Sequence, residues 1–409
     1  MRVASFRFPL ILLALVAAMH LAPVAAQVMP DPAWDLKLQT VPSSGATQPG
    51  IVHALLRQPD GRMLVGGIFN RAANGALVRT ALLRLERDGT IDPTFAPEFG
   101  GLSTVAVYSL AVSGGEIYAG GFFDSVNGTT MRSIVRLRAD GSLAPGFASP
   151  FSTAGGNQIR AIAVTANGLF LGGDTQEGAS YGLLRLNRDT GAIETAWQAQ
   201  TQFSPTGTPS AGNRGTVSAL QVSGNDLIVG GEFGQIAGTV RQGLARISQS
   251  VPATVSAFNA GISGRVDAMH LSGTQLYIGG NFFHSNPNIN FLARIDATSG
   301  SFDAGWSTPI SGSILALLRI GDHVYVGGAF ANQPPGGARL ARVAVAGGGV
   351  DASFAPLADN TVRALADSCR GRLDVGGSFA TVGGIARNGY AAFVVPQIDC
   401  IFHGNFEIR

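Results

Sequence analysis

The stretch Val65-Gly66-Gly67-Ile68-Phe69 decides the fold, because versions of it recur along the whole chain. In six of the seven copies a phenylalanine stands two residues after the Gly-Gly pair. The other six copies follow at spacings of 48 to 58 residues: Ala119–Phe123, Leu171–Thr175, Val229–Phe233, Ile278–Phe282, Val326–Phe330 and Val375–Phe379. Seven copies at such a period indicate a repeat architecture, in which each repeat buries its apolar face against the next.

A single repeat is typical of four short strands joined by tight turns. Val52–Leu56 is a short apolar segment, and an Asp-Gly turn separates it from a second strand at Met63–Phe69. After a polar loop, Thr80–Leu85 predicts a third strand, and another Asp-Gly turn leads to a fourth at Ile91–Phe95. Four antiparallel strands in roughly 50 residues, repeated seven times, predict an all-β, seven-bladed β-propeller with four antiparallel strands per blade.

The two ends of the chain predict that the N-terminal strand closes the ring. The last repeat passes through its third strand, Tyr390–Val395, and reaches Pro396 with no Asp-x-x-Phe segment behind it. The missing segment stands near the start as Asp31–Trp34, which matches Asp92–Phe95 although no repeat precedes it. We therefore expect the N-terminal strand to complete blade seven, because closure removes the sheet edges that an open stack exposes.

The other recurring residues have structural interpretations. The paired glycines indicate close approach of neighbouring backbones, and a phosphate loop is disfavoured because no helix start follows them. We expect the fourth-strand aromatic residue to be buried against the next blade in every repeat: Trp34, Phe95, Phe147, Trp197, Phe258, Trp306 and Phe354. We expect the third-strand arginine to make a hydrogen bond between blades in the six repeats that have one: Arg84, Arg136, Arg185, Arg246, Arg294 and Arg342.

The first 26 residues have the features of an export signal. Arg2 and Arg7 supply charge, Leu10–Ala18 is an apolar run, and Val24–Ala26 is a small-residue cleavage site. We expect three parts: a signal peptide at 1–26, the propeller at 27–396 and a C-terminal tail at 397–409. The mature chain is then exported, to the periplasm, the cell surface or the extracellular space.

The charge of the mature chain argues against two kinds of partner. The two arginines of the signal account for the whole formal net charge of +2, so the rest of the chain is neutral. Lys37 is the only lysine, and no basic run occurs. Nucleic acids and anionic membranes are bound through clustered positive charge, so neither is expected as a partner. No later apolar run reaches ~18 residues, so no integral membrane segment is expected after removal of the signal. We expect a monomer.

The repeat unit V-x-A-L…D-G-x-x-x-V-G-G-x-F…R-L…D-G-x-x-D-x-x-F resembles the delta-60 repeat, a bacterial β-propeller repeat of unknown function found in secreted and surface proteins. The resemblance spans residues 31–395 and is strongest at Val52–Phe95 and Val107–Phe147. Repeat three departs from the pattern at Asp174-Thr175, and repeat four lacks an Asp-Gly turn at Gln249–Pro252. The resemblance implies a propeller and supplies no catalytic residues.

Cofactor and metal chemistry have little support in the sequence. Asn187–Gly191 and Asp296–Gly300, each before a tryptophan, are similar to the tryptophan-docking repeat of pyrroloquinoline-quinone dehydrogenases. Because only two of seven repeats match, we interpret this as shared turn chemistry and expect no cofactor. The histidines lack the spacings that gather metal ligands on one element, so no metal site is expected.

The second residue of each first strand predicts a ring of side chains near the mouth of the central channel. Five members are candidates for ligand binding: His53, Tyr108, Arg160, Asp267 and Arg363. Ser218 and Leu315 hold the same position in the other two repeats. Arginine, histidine and tyrosine in one ring could hold a carboxylate, a sugar or a peptide end. The alternative is that these side chains only solvate a wet channel.

Two hypotheses for function follow. The first is an exported, non-catalytic binding or scaffold module that recognises protein or glycan on the loop-rich face, since variable loops on a rigid scaffold commonly carry binding residues. The second is a hydrolase or lyase with a site at the channel mouth. No linear catalytic motif supports the second hypothesis, although propeller sites can be assembled from distant repeats. We favour the first, and leave catalysis open.

The two cysteines of an exported chain predict a disulfide between Cys369 and Cys400. Closing a loop of about 30 residues stabilises by roughly 3 to 4 kcal/mol on the chain-entropy model. Beyond it, Asp399–Glu407 resembles a short C-terminal tail, C-x-F-x-x-x-F-E, of some secreted bacterial proteins. The tail is interpreted either as a sorting element or as a strand that caps the propeller.

Overall fold

The computed structural model describes residues 28–101, 104–153, 156–197, 199–202, 214–286, 289–331, 338–367 and 371–395. Within these ranges the ordered elements are β-strands and no α-helix occurs, which confirms the all-β prediction. The signal peptide, the C-terminal tail and both cysteines lie outside the described residues. The described ranges contain no apolar helix of membrane-spanning length.

Seven sheets share one pattern, in which the first, second and third strands of a repeat pair antiparallel in that order. We number them sheet 1 to sheet 7 along the chain. The first strands are Ile51–Arg57, Ala106–Ser113, Gln158–Thr165, Thr216–Ser223, Ser263–Ser272, Ile314–Ile320 and Val362–Asp367. The second strands are Met63–Ile68, Glu116–Phe122, Gly168–Glu177, Asp226–Glu232, Gln275–Phe283, His323–Gly328 and Arg372–Gly377. The third strands are Leu82–Leu85, Ile134–Leu137, Ser180–Leu186, Leu244–Ser248, Leu292–Asp296, Leu340–Ala344 and Tyr390–Val394.

The predicted fourth strand is not a strand in the described residues. In sheet 1 it is reduced to a single bridge between Leu85 and Ile91. The reason lies in the Asp-x-x-Phe segment, where the Asp92 carboxylate accepts a hydrogen bond from the Thr94 N–H at 2.8 Å. Such a local side-chain bond turns the chain out of the ladder. The same turn recurs at Asp31, Asp303 and Asp351.

Short hairpins replace the predicted polar loops after several Gly-Gly pairs. Their strands have two residues each, and some pair with a segment that precedes the first strand of the same repeat. We call them the outer hairpins. Their strands are Gln39–Thr40, Gln48–Pro49, Arg71–Ala72, Leu77–Val78, Phe99–Gly100, Ser125–Val126, Thr129–Thr130, Thr201–Gln202, Gln235–Ile236, Thr239–Val240, Thr381–Val382 and Ile385–Ala386.

The two glycines of each pair have different structural roles. A Cβ on Gly67 would lie 1.9 Å from the carbonyl oxygen of Ile51, so this glycine allows the first strand of its own sheet to come close. A Cβ on Gly66 would lie 2.7 Å from Cγ1 of Val107, a residue of the next sheet. Each first glycine faces a β-branched side chain in this way: Gly66 with Val107, Gly120 with Ile159, Gly172 with Val217, Gly230 with Val266, Gly279 with Ile314, Gly327 with Val362 and Gly376 with Val52.

The core therefore lies between neighbouring sheets. One cluster of buried residues joins Ala54 and Leu56 of sheet 1 to Val107 and Leu110 of sheet 2. The first strands of successive sheets contact one another. The seven fourth-segment aromatic residues are all buried, which confirms the prediction of their packing role.

Sheet 7 packs against sheet 1, and the N-terminal segment contacts both. The Asp31 N–H donates to the carbonyl of Ala392 at 2.8 Å. The Trp34 ring lies 3.2 Å below the guanidinium of Arg372 in sheet 7, and a Cβ on Gly89 in repeat one would meet the same ring at 2.3 Å. Trp34 thus occupies the position between sheets that Phe95 and its equivalents occupy elsewhere.

The recurring arginine joins successive repeats. The Nη1 atom of Arg246 donates to the Ala297 carbonyl at 2.8 Å, and that of Arg294 to the Val345 carbonyl at 2.7 Å. Arg84, Arg136 and Arg185 reach the carbonyls of Ala139, Arg188 and Gln249 in the same way. The hydrogen bond between repeats is therefore confirmed for five of the six arginines. Arg342 pairs with Asp351 of its own repeat.

Candidate binding site on the first strands

Every first strand contains a β-bulge opposite its Gly-Gly pair. In sheet 1 the register runs from Val52 opposite Gly67 directly to Ala54 opposite Gly66, so that His53 has no partner in the second strand. A bulge re-aims the side chain of the unpaired residue. The seven bulged residues are those of the sequence-predicted ring: His53, Tyr108, Arg160, Ser218, Asp267, Leu315 and Arg363.

Four of the five candidate residues come together. The rings of His53 and Tyr108 meet edge to face, with centroids 4.9 Å apart and planes at 85°. The guanidinium carbon of Arg160 lies 5.8 Å from the Tyr108 ring centroid. The positive charges of Arg363 and Arg160 both act on His53. We call His53, Tyr108, Arg160 and Arg363 the bulge cluster.

His53 is neutral at physiological pH. Burial, together with the smaller effect of the positive charges of Arg363 and Arg160, lowers the pKa of His53 to about 3. Both effects disfavour the imidazolium, because it would be desolvated beside two cations. The Nε2 atom of His53 is buried and has no hydrogen-bond partner among the described residues.

The two arginines of the bulge cluster repel each other. Burial lowers the pKa of Arg363, and the charge of Arg160 lowers it further. The Nε atom of Arg363 is buried with no partner in the described part of the chain. Arg160 donates from Nη2 to the uncharged amide oxygen of Gln158 at 2.8 Å. Burial raises the pKa of the Tyr108 phenol, which therefore stays protonated.

Asp267, the fifth candidate, is held by a local ion pair. Its carboxylate accepts from Nε of Arg265 at 2.8 Å, and Arg265 also lies 4.0 Å from the carboxylate of Glu232. Sequence reasoning missed Arg265 and Gln158. Each lies two residues before a bulged residue, Arg265 before Asp267 and Gln158 before Arg160. Polar residues at that offset are the signal that could have identified them, since side chains two apart lie on one face of a strand.

A cavity of about 200 Å³ lies further along the first strands of sheets 1, 4, 5, 6 and 7. Burial lowers the pKa of Arg57 at its wall, against the opposing effect of the nearby carboxylates of Asp367 and Asp374. Other lining residues are Leu55, Leu220, Met269 and Leu317. Among the described residues, no three His, Cys, Asp or Glu side chains are placed to hold a metal ion.

Comparison with known proteins gives a repeat type without a function. A family model described as "Domain of unknown function (DUF5122) beta-propeller" matches residues 58–95 and 115–147. These residues form most of the first two repeats, which are therefore similar to β-propeller repeats of unknown function. This description does not carry the delta-60 name, so the delta-60 assignment stays a prediction. No curated protein matches the chain.

Two solved structures show overall likeness at low identity. The computationally designed Ika8 protein is 14% identical, over 88% of this chain and 100% of its own, with a TM-score of 0.48. BamB from Moraxella catarrhalis is 13% identical, over 90% of this chain and 95% of its own, with a TM-score of 0.42. Both TM-scores are below 0.5, so neither likeness identifies a shared function.

Proposed function

We propose that this protein is an exported, closed seven-bladed β-propeller that acts as a non-catalytic binding module for protein or glycan. The propeller comprises residues 27–396, follows a signal peptide at 1–26, and carries a C-terminal tail at 397–409. The ligand site is the bulge cluster together with the outer hairpins, which lie at the same end of the sheets because each bulge faces the Gly-Gly pair that precedes the hairpin.

Contacts between the two ends of the chain support closure of the ring. Val52 of sheet 1 faces Gly376 of sheet 7 just as Val107 faces Gly66. The third-strand residue Tyr390 and Trp34 share one buried cluster with sheet 1. These are the contacts that a closed ring requires, and they repeat the geometry found between every other pair of successive sheets.

The convergence of polar side chains on the bulges carries the binding proposal. Bulges occur beside functional sites because they redirect a side chain without changing the sheet. Here they gather His53, Tyr108, Arg160 and Arg363 from four different sheets, and leave buried polar atoms of two of them unpartnered. Buried polar atoms in folded proteins are nearly always paired, so unpaired ones call for an explanation such as a ligand.

The electrostatics of His53 favour binding over acid–base catalysis. An efficient general base has a pKa near the working pH. With its pKa lowered to about 3 by burial and by two cations, His53 is a weak base at neutral pH. It can still form a hydrogen bond, which is the contribution a binding site needs.

The experiment that tests the proposal is a binding screen with matched variants. The full chain is labelled and applied to glycan and peptide arrays, beside the double variant Arg160→Ala/Arg363→Ala. The control is Arg188→Ala, which removes one positive charge from the turn that follows the third strand of sheet 3, outside the bulge cluster. We expect the wild type and the control to bind the same spots, and the double variant to lose them. Identical binding by the double variant would place the ligand elsewhere, and no bound spot at all would contradict the proposed recognition of protein or glycan.

A further inference from the structure

The bulge cluster concentrates positive charge with no described carboxylate in contact with it. The positive charges of Arg160 and Arg363 both disfavour protonation of His53, and the charge of Arg160 lowers the pKa of Arg363. The hydrogen bond of Arg160 goes to the amide oxygen of Gln158, which carries no charge. Asp267, the one acidic residue at a bulge position, is neutralised by Arg265 at 2.8 Å.

The unpartnered atoms are the kind that hold an anion. Nε of Arg363 is an obligatory donor, and Nε2 of His53 donates in one of its two neutral tautomers. Charged donors bind oxyanions through short, strong hydrogen bonds, and a guanidinium can present two parallel N–H groups to one carboxylate or phosphate. An anion between the two arginines would also offset their mutual repulsion.

We propose that the bulge cluster binds an oxyanion, a carboxylate or a phosphate group carried by the ligand. This inference rests on the proposed function, because it names the chemical group that the same site recognises. Arg363 and Arg160 supply charge and N–H donors from opposite sides of the cluster. His53 supplies a neutral hydrogen bond. The Tyr108 ring, whose centroid lies 4.9 Å from that of the His53 ring, forms an apolar wall beside the anion.

The test is a calorimetric titration of the full chain with sodium acetate and, separately, with sodium phosphate, at pH 7 and at an ionic strength held constant with sodium chloride. We expect saturable binding of at least one anion at one site per chain. Arg363→Gln and Arg160→Gln should each weaken that binding by about tenfold or more, equivalent to loss of one charge-assisted contact. Arg188→Gln, the matched control, should leave it unchanged. Arg160 is exposed, so Arg160→Gln decides the matter if Arg363→Gln does not fold.

The outcomes separate the two sources of the anion. Binding of acetate alone supports a carboxylate, and binding of phosphate alone supports a phosphate group. The inference is overturned if neither anion saturates the protein at concentrations up to about 100 mM, which is about 100 times a millimolar Kd, the value expected of a weak site. Equal weakening by Arg188→Gln also overturns it, because the effect would then come from the loss of any positive charge on the chain and not from the bulge cluster.

Failure of this inference is distinguishable from failure of the proposed function. Array binding that depends on the bulge cluster but is unaffected by acetate and phosphate would keep the binding module and remove the oxyanion. Anion binding at the bulge cluster without recognition of any glycan or peptide would keep the oxyanion site and contradict the proposed binding module. The two experiments share the arginine positions, so their results can be compared directly.

Discussion

Asp374 has no exposed surface, and replacing it with asparagine should make the stability of the protein less sensitive to pH. The Tyr390 hydroxyl donates to its Oδ1 atom, and Nε of Arg372 lies 3.2 Å from the same atom. Burial raises the pKa of Asp374 from 3.8 to about 6, although Arg372 and the Tyr390 hydrogen bond act in the opposite direction. The folded state therefore favours the protonated acid.

The sign and size of the effect follow from linkage. Because the folded pKa is above the unfolded one, the stability from Asp374 is fully present below pH 3.8 and is lost as the pH rises through about 6. The pKa difference of about 2 units corresponds to about 3 kcal/mol at about 1.4 kcal/mol per unit. Asp374→Asn cannot ionise, and its amide oxygen can still accept from Tyr390. Relative to wild type, the variant should gain about 3 kcal/mol between pH 4 and pH 7.5.

His53 provides a counterpart of opposite sign. Its pKa is lowered from 6.5 to about 3, so its stability is present above pH 6.5 and is lost as the pH falls toward 3. His53→Gln should therefore gain stability relative to wild type toward pH 4, by an amount of about 3 kcal/mol. Between pH 4 and 6, Asp374 and His53 change the stability of the wild type in opposite directions as the pH rises. Each variant removes one of these effects, so its remaining pH dependence shows the effect of the other group.

The assay is urea unfolding followed by circular dichroism at pH 4, 5, 6 and 7.5. Differences between variant and wild type are compared at each pH, so that other titrating groups cancel. Asp322→Asn, at an exposed aspartate, is the matched control. The reasoning is refuted if the difference for Asp374→Asn changes by less than about 1 kcal/mol over this range, or if the control changes as much.

Three further predictions concern the packing and the closure of the ring. Gly376→Ala should destabilise the protein by about 1 to 3 kcal/mol, because the added Cβ would lie 2.5 Å from Cγ1 of Val52. The control is Gly349→Ala, whose Cβ would meet no atom within 4 Å and which should leave the stability nearly unchanged in the same urea assay. An equal effect of both would contradict packing of the last sheet on the first. Phe354→Ala should cost about 3 to 5 kcal/mol, since this ring is 3% exposed, and a loss below about 1 kcal/mol would be inconsistent with a core position. The two cysteines should give no free thiol by reagent titration of the unfolded, unreduced chain, and two reactive thiols would disprove the disulfide.

Much of the candidate site could be predicted from the repeat alone. The period aligned the first strands, so the second residue of each could be identified as a set before any contact was known. The structure brings His53, Tyr108, Arg160 and Arg363 near one another, whereas the alignment predicted only that they share one ring position; ligand binding by them stays a prediction. Asp267 is instead held by Arg265, two residues away on the same strand, and this offset was a signal in the sequence that could have excluded Asp267 from the candidates.

By itself, the sequence determined the all-β class, the number of repeats and the buried aromatic residues, because these depend on patterns that local chemistry repeats along the chain. The tertiary structure decided the rest. It showed that the fourth segment turns away after a single bridge, that one glycine of each pair accommodates a bulge while the other receives the side chain of the next sheet, and that Asp374 is buried. The contact between a first glycine and the next sheet, such as that of Gly66 with Val107, joins different repeats, and the burial of Asp374 depends on the strands packed around it, so local propensity encodes neither.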